Sequence, residues 1–176
     1  MFGKENNYAF IDSQNLNLAI RDQGWRLDWR RFRIYLQEKY HVQKAYVFVG
    51  YLSANEKLYQ ALRTYGYELV FKPIVMYDGG KVKGNVDAEL VLHAMIEYER
   101  YDQAVIVTGD GDFYCLVKYL LEQNKLSRMV IPNKYQYSIL LRRILRVGVI
   151  TFLNDLRARL EYKNPGLRRD SVGGST

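Results

Sequence analysis

Residues 104–113 read Ala-Val-Ile-Val-Thr-Gly-Asp-Gly-Asp-Phe. The first four form a continuous apolar run, which is typical of a strand buried on both faces of a sheet. A turn with two glycines and two aspartates follows, and residues 113–123 then show the apolar spacing of a helix. A strand, a polar turn and a helix in this order are the repeating unit of an α/β fold.

The same alternation continues on both sides of this stretch. Short apolar runs predict further strands at 8–11, 45–49, 68–71, 129–131 and 149–153. Apolar spacing predicts further helices from about residue 13 and at 28–39, 55–65, 86–99, 138–146 and 154–162. The glycine-rich stretch 77–84 predicts a loop or small hairpin. We therefore predict an α/β fold with a mostly parallel sheet of five to six strands and helices on both faces.

The length and composition indicate one ordinary soluble domain. The chain has 176 residues, of which 48% are hydrophobic and 26% are charged. We place the domain at 1–163 and a flexible basic tail at 164–176. The single cysteine, Cys115, excludes an intrachain disulfide and a cysteine-based zinc site. No apolar run approaches the roughly 20 residues that span a bilayer, and the first ten residues lack a signal-peptide core, so we expect a cytoplasmic protein without membrane association.

The charge narrows the class of partner. The formal net charge is +7, and the chain contains 16 tyrosines. A basic surface with many aromatic rings suits a polyanion whose bases stack, which favours nucleic acid. A solvated basic face with tyrosines used for packing explains the same composition, and charge alone leaves both interpretations open.

Aspartates follow two of the predicted strands and begin one of the predicted helices. Asp12 ends the first strand, and Asp110 and Asp112 follow the fourth. Sites in open α/β sheets lie at the carboxyl ends of strands where the strand order reverses, so these side chains converge if the two strands are neighbours. Asp87 lies in the first turn of helix 86–99, on the apolar stripe that we expect to face the sheet, which consists of Leu90, Val91, Ala94 and Met95. Four clustered carboxylates need a divalent cation, and oxygen ligands suit Mg²⁺ or Mn²⁺, which orient phosphates and acidify water.

Each aspartate also has a purely structural interpretation. Asp is a preferred helix N-cap, and Asp12 and Asp112 both precede predicted helices. Asp110 can order a glycine-rich turn. The structural interpretation weakens when the residues are taken together, because caps need not gather on two strands that flank one switch point. His93 has acidic neighbours one turn away on each side, so we assign it to a charged outer face.

Three motifs together resemble the NYN domain, a branch of the PIN-like metal-dependent ribonucleases. They are Asp-Ser-Gln-Asn at 12–15, Lys-Gly-Asn-Val-Asp at 83–87 and Thr-Gly-Asp-Gly-Asp-Phe at 108–113. The resemblance covers roughly residues 7–155. Three motifs in sequence at α/β positions are more specific than any one of them.

The resemblance implies a PIN-like three-layer sandwich with strand order 3-2-1-4-5, which makes strands one and four neighbours. It also implies a metal-dependent ribonuclease that acts on RNA. Many members of the family carry an acid where this chain has His93, a departure that bears on the number of metal ions. The implied catalytic and metal-binding residues around Mg²⁺ or Mn²⁺ are Asp12, Asp87, Asp110 and Asp112.

The predicted substrate-binding residues are basic or polar and lie near the same sheet edge. Two lysines belong to the glycine-rich loop, and two residues follow the fifth predicted strand. Two further residues come from the resemblance alone, as polar support for the site. The whole set is Asn15, Lys81, Lys83, Thr108, Lys134 and Ser138.

Two functions therefore remain open for this sequence. The first is a metal-dependent ribonuclease, and the second is an RNA-binding module of the same fold with little or no turnover. The acidic residues favour the first, because a pure RNA binder gains nothing from carboxylates that face phosphate. A haloacid-dehalogenase-type phosphatase fits less well, since it needs Asp-x-Asp after strand one and this chain has Asp-Ser-Gln at 12–14. A homo-oligomer is compatible with the sequence.

Overall fold

The computed structural model describes residues 5–72, 75–76, 82–83 and 86–164, with only the backbone described at 75–76 and 82–83. Its main element is a six-stranded sheet in the order β3-β2-β1-β4-β5-β6. All neighbouring strands in it run parallel. The strands are β1 Asn7–Asp12, β2 Val42–Gly50, β3 Tyr67–Lys72, β4 Ala104–Val107, β5 Leu126–Ile131 and β6 Ile150–Phe152. The predicted α/β fold and strand order are confirmed.

Helices connect the strands. They are α1 Ser13–Asp22, α2 Trp29–Tyr40, α3 Glu56–Thr64, α4 Asp87–Ile96, α5 Tyr114–Glu122, α6 Ile139–Ile144 and α7 Arg157–Leu160. The helix predicted at 138–146 is shorter, because Leu145 leaves the helical conformation and is buried. The helix predicted at 154–162 is a 3₁₀ turn, Leu153–Leu156, followed by one α-helical turn. Leu153 and Leu160 are both buried in the same core, so this segment follows the core surface rather than one helix axis.

Two hydrophobic cores cover the two faces of the sheet. Along β1, Ala9 and Ile11 pack into the core beneath α1, α2 and α3, whereas Tyr8 and Phe10 pack into the core beneath α4, α5 and α6. Successive strand residues point to opposite faces, so a strand that is buried on both faces must be apolar throughout. This burial explains the continuous apolar runs in the sequence.

The pairing of β1 places the candidate site. Ile11 pairs with Val47 of β2 on one side and with Val107 of β4 on the other. The next residues, Asp12 and Thr108, therefore lie side by side at the carboxyl edge of the sheet. From β1 the chain builds β2 and β3 on one side and then returns to build β4 on the other. This is the reversal of strand order at which α/β proteins form their sites.

The stretch 77–84 lies mostly outside the described residues. Val75–Met76 and Val82–Lys83 pair antiparallel, as expected for the small hairpin. Lys81 is outside the described residues, and the side chain of Lys83 is likewise not described. Of the predicted tail, 164–176, only Asn164 is described, so the domain boundary at 163 stays a prediction. Within the described ranges, no helix has the length and hydropathy of a membrane span.

Candidate metal centre

Three of the four predicted aspartates meet at the carboxyl edge of the sheet. Asp12 ends β1, Asp110 follows β4, and Asp87 is the first residue of α4. One carboxylate oxygen from each lies within 4.8 Å of the other two. Asp12 is buried, with only 3% of its surface exposed, and the other two are half-buried. The convergence that the strand ends predicted is therefore present for these three residues.

Two hydrogen bonds hold the carboxylate of Asp12. The backbone N–H of Asn15 donates to Oδ1 at 3.1 Å, and the Thr108 hydroxyl is 3.0 Å from Oδ2. The first bond is the N-cap of α1. Asp12 therefore both caps a helix and belongs to the acidic cluster, so its two interpretations from the sequence are compatible.

Asn15 and Thr108 connect the end of β1 to the loop after β4. Asn15 Oδ1 accepts the backbone N–H of Gly109 at 2.8 Å, and Thr108 Oγ1 accepts the N–H of Asp110 at 3.1 Å. Thr108 is fully buried. These contacts are those of positioning residues, because they align Asp110 with Asp12. Contact of either side chain with RNA stays a prediction.

The two aspartates after β4 differ in position. Asp110 Oδ1 accepts the backbone N–H of Asp112 at 3.0 Å and so caps the 3₁₀ turn Gly111–Phe113. The capping residue is therefore Asp110, and the capping role considered for Asp112 was wrong because the turn begins before it. Asp112 lies inside the turn and is exposed, and among the described residues it is not part of the converging group. Its predicted role as a fourth ligand stays a prediction.

Burial perturbs the titration of Asp12. Desolvation raises the pKa of its carboxyl group from 3.8 to about 6, and the charges of Asp87 and Asp110 act in the same direction. The hydrogen bonds from Asn15 and Thr108 oppose this change because they stabilise the ionised form. At neutral pH the site therefore holds a desolvated negative charge beside two others, an arrangement that a bound cation stabilises.

The donor set fits a hard divalent cation. All three donors are carboxylate oxygens, which Mg²⁺ and Mn²⁺ prefer over nitrogen or sulfur. Opposite ligands of an octahedral Mg²⁺ lie about 4.2 Å apart, since each bond is about 2.1 Å. At most one pair among three such ligands is opposite, and neighbouring ligands lie about 3.0 Å apart. The three oxygens lie within 4.8 Å of one another, so side-chain rotations that shorten these separations would bring them into one coordination shell.

Lys134 and Ser138 follow β5 at the same edge, as predicted, and each already has a partner. Lys134 Nζ lies 2.8 Å from Asp155 Oδ1. Ser138 Oγ accepts the N–H of Leu140 and caps α6. Ser138 also packs so closely against Gly111 that a side chain at position 111 would clash with it. Their contact with RNA stays a prediction.

Lys72 is a residue at this edge that the sequence analysis did not identify. It ends β3, and its Nζ lies 3.2 Å from Glu89 Oε2 in the first turn of α4. This ion pair links the beginning of the helix that carries Asp87 to the sheet. A lysine at the carboxyl end of a predicted strand was the available signal, but such lysines are common and carry little information alone.

His93 does not lie on a charged outer face, so that prediction was wrong. Its ring centroid is 4.6 Å from that of Tyr46 and 5.7 Å from that of Phe48, so the imidazole packs against β2. By contrast Met95, which was predicted to face the sheet, is 38% exposed. The aromatic rings of β2 accept the edge of an imidazole, and this contact outweighed the greater hydrophobicity of methionine.

Comparison with known proteins is consistent with this geometry. The NYN domain family matches residues 8–144, which is most of the chain. Low amplitude and bright protein LabA of Synechococcus elongatus is 26% identical over 164 residues, and the match covers 86% of each chain. A crystal structure of a protein of unknown function from Vibrio parahaemolyticus superposes with a TM-score of 0.75 and 21% identity, covering 92% of this chain and 99% of that one. This structure shares the fold.

Proposed function

The chain belongs to the NYN domain family, and on this premise we propose that it is a metal-dependent ribonuclease that hydrolyses RNA phosphodiester bonds. Membership implies a PIN-like nuclease fold, and three aspartates cluster where such a fold forms its site. The proposal adds the substrate, RNA, the cofactor, Mg²⁺ or Mn²⁺, and the reaction. A cytoplasmic location and a homo-oligomeric state stay predictions.

The convergence of Asp12, Asp87 and Asp110 is the observation that carries the proposal. Capping does not explain it, because Asn and Ser cap helices about as well as Asp does and bring no charge. Three carboxylates within 4.8 Å of one another, one of them buried, repel one another when ionised, and a bound cation offsets this repulsion. A metal-binding role therefore explains why the residues are acidic as well as why they meet.

In the proposal, these three residues hold the ion, and Asp112 is the fourth acid of the site. A divalent ion in such a site neutralises phosphate charge and promotes ionisation of water. Thr108 orients the Asp12 carboxylate and the Asp110 backbone together, as outer-shell hydrogen bonds do in metal sites. The proposed RNA contacts are Asn15, Lys81, Lys83, Thr108, Lys134 and Ser138.

An RNA-binding module with little turnover is the second candidate. The observation in its favour is that Asp12 and Asp110 both already serve as caps. A variant at Asp87 separates the two functions, because the N-cap of α4 is Val86 and no side chain caps that helix.

The test is incubation of the purified chain with labelled single-stranded and double-stranded RNA in Mn²⁺, Mg²⁺ or EDTA. We expect cleavage with either ion, none in EDTA, and a loss of about 10²-fold or more in Asp87→Asn. RNA that is bound under all three conditions but never cleaved would instead support the binding module.

A further inference from the structure

A cleft of about 810 Å³ lies between α1 and α3, and none of the residues assigned to the metal centre or to RNA contact lines it. Its walls come from α1, the connection to α2, the first turn of α2 and the length of α3. The volume is within the range of roughly 300–1,000 Å³ that holds organic ligands.

The cleft runs along α3. α1 follows β1 directly, and α3 follows β2, so both helices start at the carboxyl edge of the sheet. Lys57 lines the cleft from the first turn of α3, and Tyr65 lines it just beyond the end of that helix. The distance between them is about 12 Å at 1.5 Å per residue. The Lys57 end of the cleft therefore lies toward the sheet edge that carries the aspartates, and a ligand that fills the cleft extends from there along α3.

The cleft has an excess of positive charge. Its exposed cationic side chains are Arg21, Arg26, Arg30 and Lys57. In the part of the chain that the structure describes, none of these four is within ion-pair distance of a carboxylate. Asp28 is the only described acid that lines the cleft, and its carboxylate caps α2 and pairs with Arg31 at 3.4 Å. These cations are therefore available to bind an anionic ligand.

Aromatic rings lie among these cations. Tyr65 and Tyr162 line the cleft and are 37% and 42% exposed. The guanidinium carbon of Arg26 lies 4.6 Å from the centroid of the Tyr162 ring. Trp29 adds a half-buried indole. Proteins hold single-stranded nucleic acids with this combination, since bases stack on the rings and phosphates contact the cations.

We propose that this cleft binds a single-stranded segment of the RNA that the metal centre cleaves. The identification of the ligand as RNA rests on the proposed function. The assignment of the cleft as a binding site rests on its cationic and aromatic side chains. An acidic peptide matches the charges but leaves the rings without stacking partners. A second copy of this chain, with a net charge of +7, is repelled by the cations that line the cleft.

The chain carries its own probe for this site. It contains two tryptophans, Trp25 and Trp29, and both line the cleft. RNA that enters the cleft is expected to change their fluorescence, whereas RNA that binds elsewhere leaves it unchanged. The experiment is a titration of the full chain in EDTA with a single-stranded oligonucleotide of about 12 nucleotides, read by tryptophan emission and by anisotropy of a dye on the RNA. We expect the same Kd from both readouts.

Two double variants that lower the net charge by the same amount test the role of the cleft cations. Arg30→Gln with Lys57→Gln removes two cleft charges, and Lys39→Gln with Lys118→Gln removes two exposed charges from elsewhere. We expect the cleft pair to weaken binding about tenfold and to reduce the salt slope by about 1.4, at roughly 0.7 per phosphate contact. The control pair should change affinity less than about twofold.

Tyr65→Ala removes a ring without changing charge. We expect it to weaken binding by about fivefold or more, as loss of one stacked base does. Tyr119→Ala, at an exposed ring on α5, is the matched control. Polyglutamate tests the acidic-chain alternative. If it changes the tryptophan emission as strongly as RNA does, the assignment to nucleic acid is overturned.

The remaining outcomes separate the cleft from the nuclease. If the cleft pair and the control pair lose RNA affinity equally, or if RNA binds without a fluorescence change, the proposal for the cleft is overturned even if the wild type cleaves RNA. Cleft-dependent binding by a chain that cleaves no RNA in Mn²⁺ supports the cleft and overturns the nuclease. Failure of the wild type to bind RNA at all overturns both.

Discussion

The metal centre is rich in negative charge and the cleft is rich in positive charge, although α1 contributes to both. At the start of α1, Asp12 meets two further carboxylates, and later in the same helix Arg21 lines a cleft rich in cations. Each region concentrates charged side chains of mainly one sign. A net charge of +7 therefore describes neither region, and our proposals assign a cation to the first and a polyanion to the second.

The largest expected effect tests whether the acidic region is catalytic. Asp12→Asn, Asp87→Asn and Asp110→Asn should each reduce the single-turnover rate of RNA cleavage by about 10²-fold or more, roughly 3 kcal/mol of barrier. The reason is that Asn keeps the size of Asp and one acceptor oxygen for a capping hydrogen bond but lacks the charge that binds metal. Asp22→Asn, at the exposed end of α1, is the control and should cleave at the wild-type rate.

Asp112→Asn in the same assay tests whether Asp112, which lies outside the converging group of aspartates, contributes to cleavage. A loss comparable to that of Asp110→Asn makes it a fourth ligand that joins the site when metal and RNA bind. A rate within a few-fold of wild type limits the site to three aspartates. Each variant is first shown by circular dichroism to be folded.

The two regions also differ in how well the sequence predicted them. Asp12 and Asp110 directly follow continuous apolar strands, and parallel strands end at one edge, so their meeting was predictable. Arg21, Arg30, Lys57 and Tyr65 belong to three different helices and their ends and form no motif. They come together because α1, α2 and α3 cover the same face of the sheet. In the sequence they were visible only as part of the net positive charge and the high tyrosine content.

Local packing explains the remaining differences between the structure predicted from the sequence and the observed structure. Buried strands such as β4 were predictable because burial on both faces requires apolar residues, whereas the strand order was predicted from the resemblance to the NYN domain. The face of α4 was predicted less well, since His93 packs against the rings of β2 while Met95 is exposed. The hydrophobic pattern of a helix predicts which side chains are buried from their hydrophobicity. It contains no information about which aromatic rings of the sheet face the helix.

The second prediction concerns pH. Because the pKa of Asp12 is about 6 in the folded chain and 3.8 when unperturbed, the folded state binds more protons between these values. Without metal, this residue's contribution to the free energy of unfolding is therefore greatest below pH 3.8 and is lost as pH rises through about 6. The loss is about 3 kcal/mol, and urea denaturation in EDTA at about pH 3–7 measures it.

Asp12→Asn is the control for this effect, because Asn keeps the N-cap of α1 and cannot ionise. The unfolding free energy of the wild type minus that of the variant should decrease as pH rises across this range, and it should be negative at pH 7. A pH-independent difference would show that the carboxylate is not desolvated as the structure indicates.

The third prediction is that metal reverses this destabilisation. At pH 7, Mn²⁺ at 100 times its Kd should stabilise the wild type by about 2.7 kcal/mol, which corresponds to a rise in Tm of about 5–10 °C for a chain of this size. Asp110→Asn should reduce the shift. Arg30→Gln, in the cleft, should leave it unchanged. A melting curve that does not respond to millimolar Mn²⁺ contradicts the metal assignment.

The smallest expected effect concerns Asn15, which lies on α1 before the cleft begins. Asn15→Ala removes the acceptor for the Gly109 N–H, and the loss of such a bond costs about 1–2 kcal/mol. The loop that carries Asp110 is then held less firmly, so the Mn²⁺-induced rise in Tm should decrease by a few degrees. The tryptophan emission of the RNA-free chain should be unchanged, because Asn15 does not line the cleft. Asn15→Asp retains the acceptor oxygen and should restore the metal response, whereas Gln14→Ala, exposed in the same helical turn, should affect neither measurement. If Asn15→Ala changes the tryptophan emission of the RNA-free chain as well as the response to metal, the two regions are coupled and the distinction between them is wrong.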